Sequence, residues 1–181
     1  THMHFDHIMG LPFLHRRYGL QPMCHALEQP VYEAAPAMVL GWFGQQMPPL
    51  VPVGEYLVDQ QVLRLGNTRI RVLHTPGHTP GGLCFYLPDD KLLFSGDTLF
   101  FRSMGRTDMP DGDQDAILDS LAMLYDFDTL TDYKVFLAPL SRQHDTPEKQ
   151  AKRDARFRRN SDFVKAAGIQ KPQMPITGSF I

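Results

Sequence analysis

The residues Thr68-Arg69-Ile70-Arg71-Val72-Leu73-His74 alternate, with Ile70 and Val72 on one face and Arg69 and Arg71 on the other. That period of two predicts a half-buried strand. The stretch Val62–Leu65 predicts a short strand before it, and Gly66-Asn67 between them is a turn signal, so the pair reads as a hairpin. Leu83–Leu87 and Lys91–Ser95 are mostly apolar and read as buried strands around a Pro88-Asp89-Asp90 turn. Gln21–His25 and Lys134–Leu137 predict two more short strands. Helical spacing appears in three places. Leu11, Leu14 and Tyr18 mark a helix over Ile8–Tyr18, with Pro12 in its first turn and Gly19 as its stop. Glu28–Phe43 predicts a helix interrupted near Pro30 and Pro36. Ile117, Leu118, Leu121, Leu124 and Tyr125 form one stripe of a helix over Asp113–Tyr125. Between them, Gly44–Gly54 holds Pro48, Pro49 and Pro52 and reads as a loop. Its Met47 and Leu50, with Trp42 and Phe43 just before, are read as packing on the core in preference to lining a substrate mouth.

The polar positions are less evenly spread. The chain opens Thr1-His2-Met3-His4-Phe5-Asp6-His7, with three histidines and an aspartate inside six positions. Core packing does not call for that density, and a purification tag would be a homopolymeric run without an aspartate. Read as extended chain, His2, His4 and Asp6 share one side and His7 follows at a turn. Neutral imidazole and carboxylate suit zinc, iron or manganese. His15, in a Leu-His-Arg-Arg stretch, reads as solvated, and His25 as hydrogen-bonded or exposed.

Thr-His-x-His-x-Asp-His resembles the signature of the metallo-β-lactamase fold superfamily. His74-Thr75-Pro76-Gly77-His78-Thr79-Pro80-Gly81, Phe94-Ser95-Gly96-Asp97-Thr98-Leu99-Phe100 and Gly105-Arg106-Thr107-Asp108 extend the likeness. The stretch from His2 to about Val135 is similar to the glyoxalase II-like branch, whose members hydrolyse thioesters such as S-lactoylglutathione. The resemblance implies an α/β fold, an αββα sandwich. It implies that His78 points inward as a ligand, while His74 is structural or supports a ligand from behind. It makes Asp97, which alone would read as a turn cap, a bridge between two metals. One site would then hold His2, His4 and His78, and the other Asp6, His7 and Asp97. Zn2+ is the expected metal, with iron or manganese as candidates. Arg106 and Asp108 are expected to pair and to fix a loop near the site.

Two departures from the family pattern matter. The chain starts within the first motif, so the sandwich is expected to lack its first N-terminal strands. The family ends its last strand with Gly-His-Gly or Gly-His-Glu, whereas this chain reads Ala138-Pro139-Leu140-Ser141-Arg142-Gln143-His144. His144 is the candidate for that second-site ligand. The organisation read from this is a domain over 1–145 and a divergent basic tail over 146–181, partly helical from Thr146-Pro147-Glu148 onward.

Composition narrows the function. The chain has 181 residues, 43% hydrophobic and 21% charged, with a formal net charge of −2. It carries enough apolar residues for a core and no overall charge that would draw nucleic acid or a membrane surface. Cys24 and Cys84 are too few for a disulfide framework or a thiolate site, and fit a reducing cytoplasm. The implied activity is a metal-dependent hydrolase using a metal-bound hydroxide, with Asp6 as the catalytic residue that orients the nucleophile. A thiol leaves as thiolate with a pKa of about 8.5, whereas an amine must be protonated, so a small-molecule thioester is the expected substrate. The competing readings are a mononuclear iron persulfide dioxygenase-like enzyme, with His2 or His4, His78 and Asp97 as its ligands, and an inactive metal-binding fragment.

Overall fold

The computed structural model describes residues 1–100, 103–126 and 134–136, with the backbone alone at 125–126 and 134–136. The structure is built on a five-stranded sheet in the order β3-β4-β5-β6-β9, formed by β3 (Val62–Leu65), β4 (Thr68–His74), β5 (Leu83–Leu87), β6 (Leu92–Phe94) and β9 (Lys134–Phe136). β3 to β6 are antiparallel neighbours, and β9 joins β6 in parallel. The predicted hairpin is present, with Gly66 at φ 60° in its turn. The expected alternation along β4 holds as far as Val72. Beyond it Leu73 is buried as well, because both faces of the sheet are covered there.

One face is covered by α4 (Gln114–Asp126). Its Leu124 packs with Leu73, Cys84, Tyr86 and Leu93. The other face presents Val72, Leu83, Phe85 and Leu63 to Leu57 of β2 (Glu55–Leu57). β2 pairs in parallel with β1 (Met23–His25), and Cys24 of β1 packs against Val31, Tyr32 and Ala35 of α3 (Gln29–Phe43). The layers therefore run helix, sheet, ribbon, helix. Among the described residues, the second sheet of the sandwich is this two-stranded ribbon. A small hairpin, β7 (Leu99–Phe100) with β8 (Ser103–Met104), completes the strands.

Several boundaries differ from the sequence reading, each for a local reason. The first helix is two pieces, α1 (Phe5–Ile8) and α2 (Leu11–Tyr18), divided at Met9-Gly10. Pro12 does lie in the first turn of α2, and Gly19 ends it at φ 69°. α3 is continuous. Pro30 falls in its first turn, where a missing N–H costs nothing, and Pro36 is carried inside the helix. The fully buried Glu28 precedes it in a 3-10 turn, Ala26–Glu28. β2 was not anticipated, since it directly follows the proline-rich loop. Met47 and Leu50 pack on the core as expected, but Trp42 and Phe43 are exposed and meet Phe5 edge-on. Both cysteines are buried and unpaired. Among the described residues, no helix is long and apolar enough to cross a membrane. His144 and the division at 145/146 lie outside the described residues.

Candidate metal centre

Three chain segments meet at one end of the sheet. The first is the extended N-terminal stretch. The Thr1 carbonyl accepts a hydrogen bond from Leu83 N–H at 2.9 Å, which lays His2 beside the start of β5. The second is the loop 75–82 between β4 and β5, closed by Thr75 N–H to the Gly82 carbonyl at 2.8 Å. The third is the turn after β6, where Gly96 sits at φ 51° and a Cβ would run into Thr1. Glycine is needed at Gly96 for both reasons, and it brings Asp97 alongside the first segment.

α4 holds the second segment from behind. Asp113 caps α4 through Oδ1, which accepts from the N–H groups of Asp115 and Ala116 at 2.9 Å each. Its own N–H donates to the Gly77 carbonyl at 2.8 Å, and Ser120 Oγ donates to the Pro76 carbonyl at 2.7 Å. Gly77 has φ 130°, and a Cβ there would strike the backbone of Ile117. Glu28 ties the first two segments together. It accepts from Met3 N–H at 2.7 Å and from Gly81 N–H at 2.8 Å.

The result is two overlapping groups of donor atoms. His2, His4 and His78 form one, and His2, His7 and Asp97 the other, with all atoms of each within 4.8 Å of one another. His4 Nδ1 lies 3.0 Å from His78 Nε2. The far nitrogens of both rings are occupied. His78 Nδ1 donates to the Arg106 carbonyl at 2.8 Å, and His4 Nε2 lies 3.2 Å from Asp111 Oδ2. A carbonyl only accepts, so the proton of neutral His78 is on Nδ1 and its Nε2 lone pair faces the group. His2 Nε2 is buried with no hydrogen-bond partner among the described residues. Asp97 spans the two groups, with Oδ1 3.4 Å from His7 Nε2 and Oδ2 3.6 Å from His78 Nε2.

Burial, reinforced by the neighbouring His7, His78 and His4, pushes the His2 imidazole far below the usual histidine range. Burial also lowers His78, against the opposing pull of the Arg106 carbonyl. Both rings are thus held neutral, the state in which imidazole is a ligand. A tetrahedral zinc with bonds of about 2.0–2.1 Å separates its nitrogen ligands by roughly 3.3 Å. The 3.0 Å between His4 Nδ1 and His78 Nε2 is close to that, and the orphaned His2 Nε2 supplies the third donor. The residues fit a metal ion.

Asp6 is placed differently from the alternation reading. The chain turns helical at Phe5, so the two-residue period ends at His4 and Asp6 rotates outward. Its side chain is 61% exposed, with Oδ2 3.8 Å from His7 Nε2. His74 stays out of both groups. It donates to the Pro80 carbonyl at 3.0 Å and stacks on His25. His15 is half-buried and donates to the Leu20 carbonyl at 2.8 Å. Arg106 and Asp108 pair at 2.7 Å as expected. Sequence reasoning missed Glu28 and Asp111. Each looks like an ordinary acid at a helix start or a Pro-Asp-Gly turn, and only the folded chain shows what it touches.

The chain is similar to known proteins. The model of the metallo-beta-lactamase superfamily matches residues 1–138. "Probable metallo-hydrolase YqgX" of Bacillus subtilis is 31% identical over 121 residues, covering 67% of this chain and 57% of that protein. "Hydroxyacylglutathione hydrolase GloC" of Haemophilus influenzae is 29% identical over 122 residues, covering 67% and 58% respectively. The chain thus spans somewhat more than half the length of these relatives. The crystal structure of TTHA1623 in a di-iron-bound form matches with a TM-score of 0.66 and 35% identity, over 81% of this chain and 68% of that one.

Proposed function

The chain belongs to the metallo-beta-lactamase superfamily, and from that premise we propose that it hydrolyses small-molecule thioesters with metal held by its histidine clusters. The observation that carries the reading is the convergence of His4 Nδ1 and His78 Nε2 at 3.0 Å beside the unpartnered His2 Nε2. A buried imidazole nitrogen without a partner, as at His2 Nε2, is costly unless a cation faces it. His2, His4 and His78 would hold one metal, and His7 with Asp97 would hold another. A metal bound there supplies the charge that brings the pKa of water towards neutrality and offsets a developing oxyanion.

The protein's own residues do the rest. Asp97 faces one histidine of each group, so its carboxylate would balance positive charge held on either side. Asp6, at the open rim beside His7, would orient the attacking water. His78 is kept in one tautomer by the Arg106 carbonyl and cannot swing away. The glyoxalase II-like motifs and the relative named a hydroxyacylglutathione hydrolase support a thioester. So does the chemistry, because a thiolate departs with little protonation. Zinc is the proposed metal. The di-iron form of TTHA1623 makes iron the competitor.

The test is metal quantification and thiol release on one sample of purified protein, metal-free and then loaded with zinc or iron. Thioester cleavage that appears with metal and falls with bound metal in His4→Ala is the expected result. Tight metal binding without thiol release from any thioester overturns the hydrolase reading. One iron per chain with oxygen consumption on a persulfide would put a dioxygenase in its place.

A further inference from the structure

Asp111 lies in none of the motifs that mark the family, yet its carboxylate reaches the candidate centre. Oδ2 is 3.2 Å from His4 Nε2, and the side chain is 21% exposed. Oδ1 is buried without a hydrogen-bond partner among the described residues. The backbone on either side of it is fixed. Gly112 N–H donates to the Met109 carbonyl at 2.9 Å, and Asp113 N–H donates to the Gly77 carbonyl at 2.8 Å. Thr107 Oγ1 closes the same loop on Gln114 Oε1 at 2.7 Å. The carboxylate is therefore delivered to His4 by a braced loop, not by a free side chain.

The two nitrogens of an imidazole point in different directions from the ring. His4 turns Nδ1 towards His78 Nε2 and Nε2 towards Asp111. An oxygen hydrogen-bonded to Nε2 lies away from the metal that Nδ1 would face, so Asp111 Oδ2 is not a ligand of that metal. A carboxylate at Nε2 accepts its proton in a hydrogen bond, and the neutral ring is then left with its lone pair on Nδ1.

We propose that Asp111 is a positioning residue of the metal centre: its carboxylate holds the proton of His4 on Nε2, aims Nδ1 at the metal and raises the basicity of that ligand. The inference rests on the metal-site reading above. It makes His4 and His78 a matched pair, each with its outer nitrogen tied to an oxygen and its inner nitrogen free. The tie on His78 is a neutral carbonyl and the tie on His4 is a carboxylate, so the stronger polarisation is at His4. Partners of this kind behind a ligand histidine change metal affinity by about 10–100-fold.

The experiment compares wild type, Asp111→Asn and Asp111→Ala by zinc titration of metal-free protein against a chromophoric chelator. Nitrogen-15 NMR of the imidazole N–H groups in the zinc-loaded proteins accompanies it. The expected order of affinity is wild type, then Asn, then Ala, with Ala about 10–100-fold weaker. Asn retains part of the affinity because its amide oxygen still accepts from Nε2. In wild type, His4 shows an Nε2–H signal protected from exchange, and the protection is lost in Asp111→Ala. Circular dichroism and thermal melts establish that each variant is folded. Equal affinity and equal protection in wild type and a folded Asp111→Ala overturn the proposal. A wild type that binds no zinc overturns the site reading instead, so the two failures are distinguishable.

Discussion

Glu28 is the residue whose loss should do most damage from a position outside the donor groups. It has 0% exposure. Its two carboxylate oxygens accept one N–H each, from Met3 at 2.7 Å and from Gly81 at 2.8 Å. Met3 lies between His2 and His4, and Gly81 lies on the loop that carries His78. Glu28→Ala leaves both donors buried and unpaired. Each costs about 1–3 kcal/mol, so the loss is about 2–6 kcal/mol before any collapse of the vacated space. Glu28→Gln keeps the volume and one acceptor oxygen but turns an amide NH2 towards the other donor. Its cost should be about half as large. Urea unfolding of the metal-free protein measures both. Zinc affinity should weaken in the same order, because the segments bearing His2, His4 and His78 are no longer held in register. A Glu28→Ala protein that loses less than about 1 kcal/mol, the scale of a single ordinary hydrogen bond, would refute the reasoning. So would a substantial stability loss with unchanged zinc affinity, which would make Glu28 a core residue with no part in setting the site.

Asp97→Asn keeps the shape of the group that faces both His7 and His78 but removes its charge. Zinc stoichiometry should fall, with hydrolysis reduced by orders of magnitude; an unchanged stoichiometry with a mild loss of rate would leave Asp97 as a turn residue. Gly77→Ala should cost about 2 kcal/mol or more in urea unfolding, since φ is 130° and the new Cβ meets the backbone of Ile117; a neutral effect would mean that α4 does not clamp this loop. The metal-free protein should lose stability in acid. His2 and His78 have folded pKa values below their unfolded value of about 6.5, so below that pH the unfolded chain binds more protons. Their contribution is fully present above pH 6.5 and is lost as pH falls beneath it, by at most about 1.4 kcal/mol per unit for each histidine. Urea midpoints at pH 7.0 and 5.5 check this, and equal midpoints would contradict it.

The parts of this molecule that were legible in the sequence are those whose signal is local. The β3–β4 hairpin announces itself through Gly66-Asn67 and the alternation beyond it. Leu124 and its neighbours mark the buried stripe of α4, and Gly19 marks the end of α2. The cluster of His2, His4 and His7 was legible for the same reason, since its members are neighbours in the chain. Asp6 shows where local pattern fails. Spacing alone does not say whether the chain stays extended after His4, and the switch to helix at Phe5 decides which way the carboxylate points. Continuity of α3 through Pro36 was likewise settled by packing of Val31, Tyr32, Ala35 and Val39, all buried. Tertiary burial overrode a local penalty there.

The illegible parts share a different property. Glu28, Asp111, Asp113 and the Arg106 carbonyl all act on residues far along the chain, and each does so through a single hydrogen-bonding atom or two. Glu28 reaches Gly81 across 53 positions and Asp111 reaches His4 across 107. No periodicity encodes such contacts, because they arise only when α4 and loop 75–82 close against the N-terminal stretch. They also differ from the donors in what substitution should do. On the proposed reading, removing a donor such as His4 would delete a bond to the metal and leave the fold standing. Removing an anchor such as Glu28 unsettles two donor segments at once and weakens the fold in the same step. Loss of zinc affinity together with loss of metal-free stability is therefore the mark of an anchor, and loss of affinity alone is the mark of a donor. Asp111 falls between them. Its partner is a side chain and its loop is braced elsewhere, so Asp111→Ala should lower affinity while metal-free stability changes little.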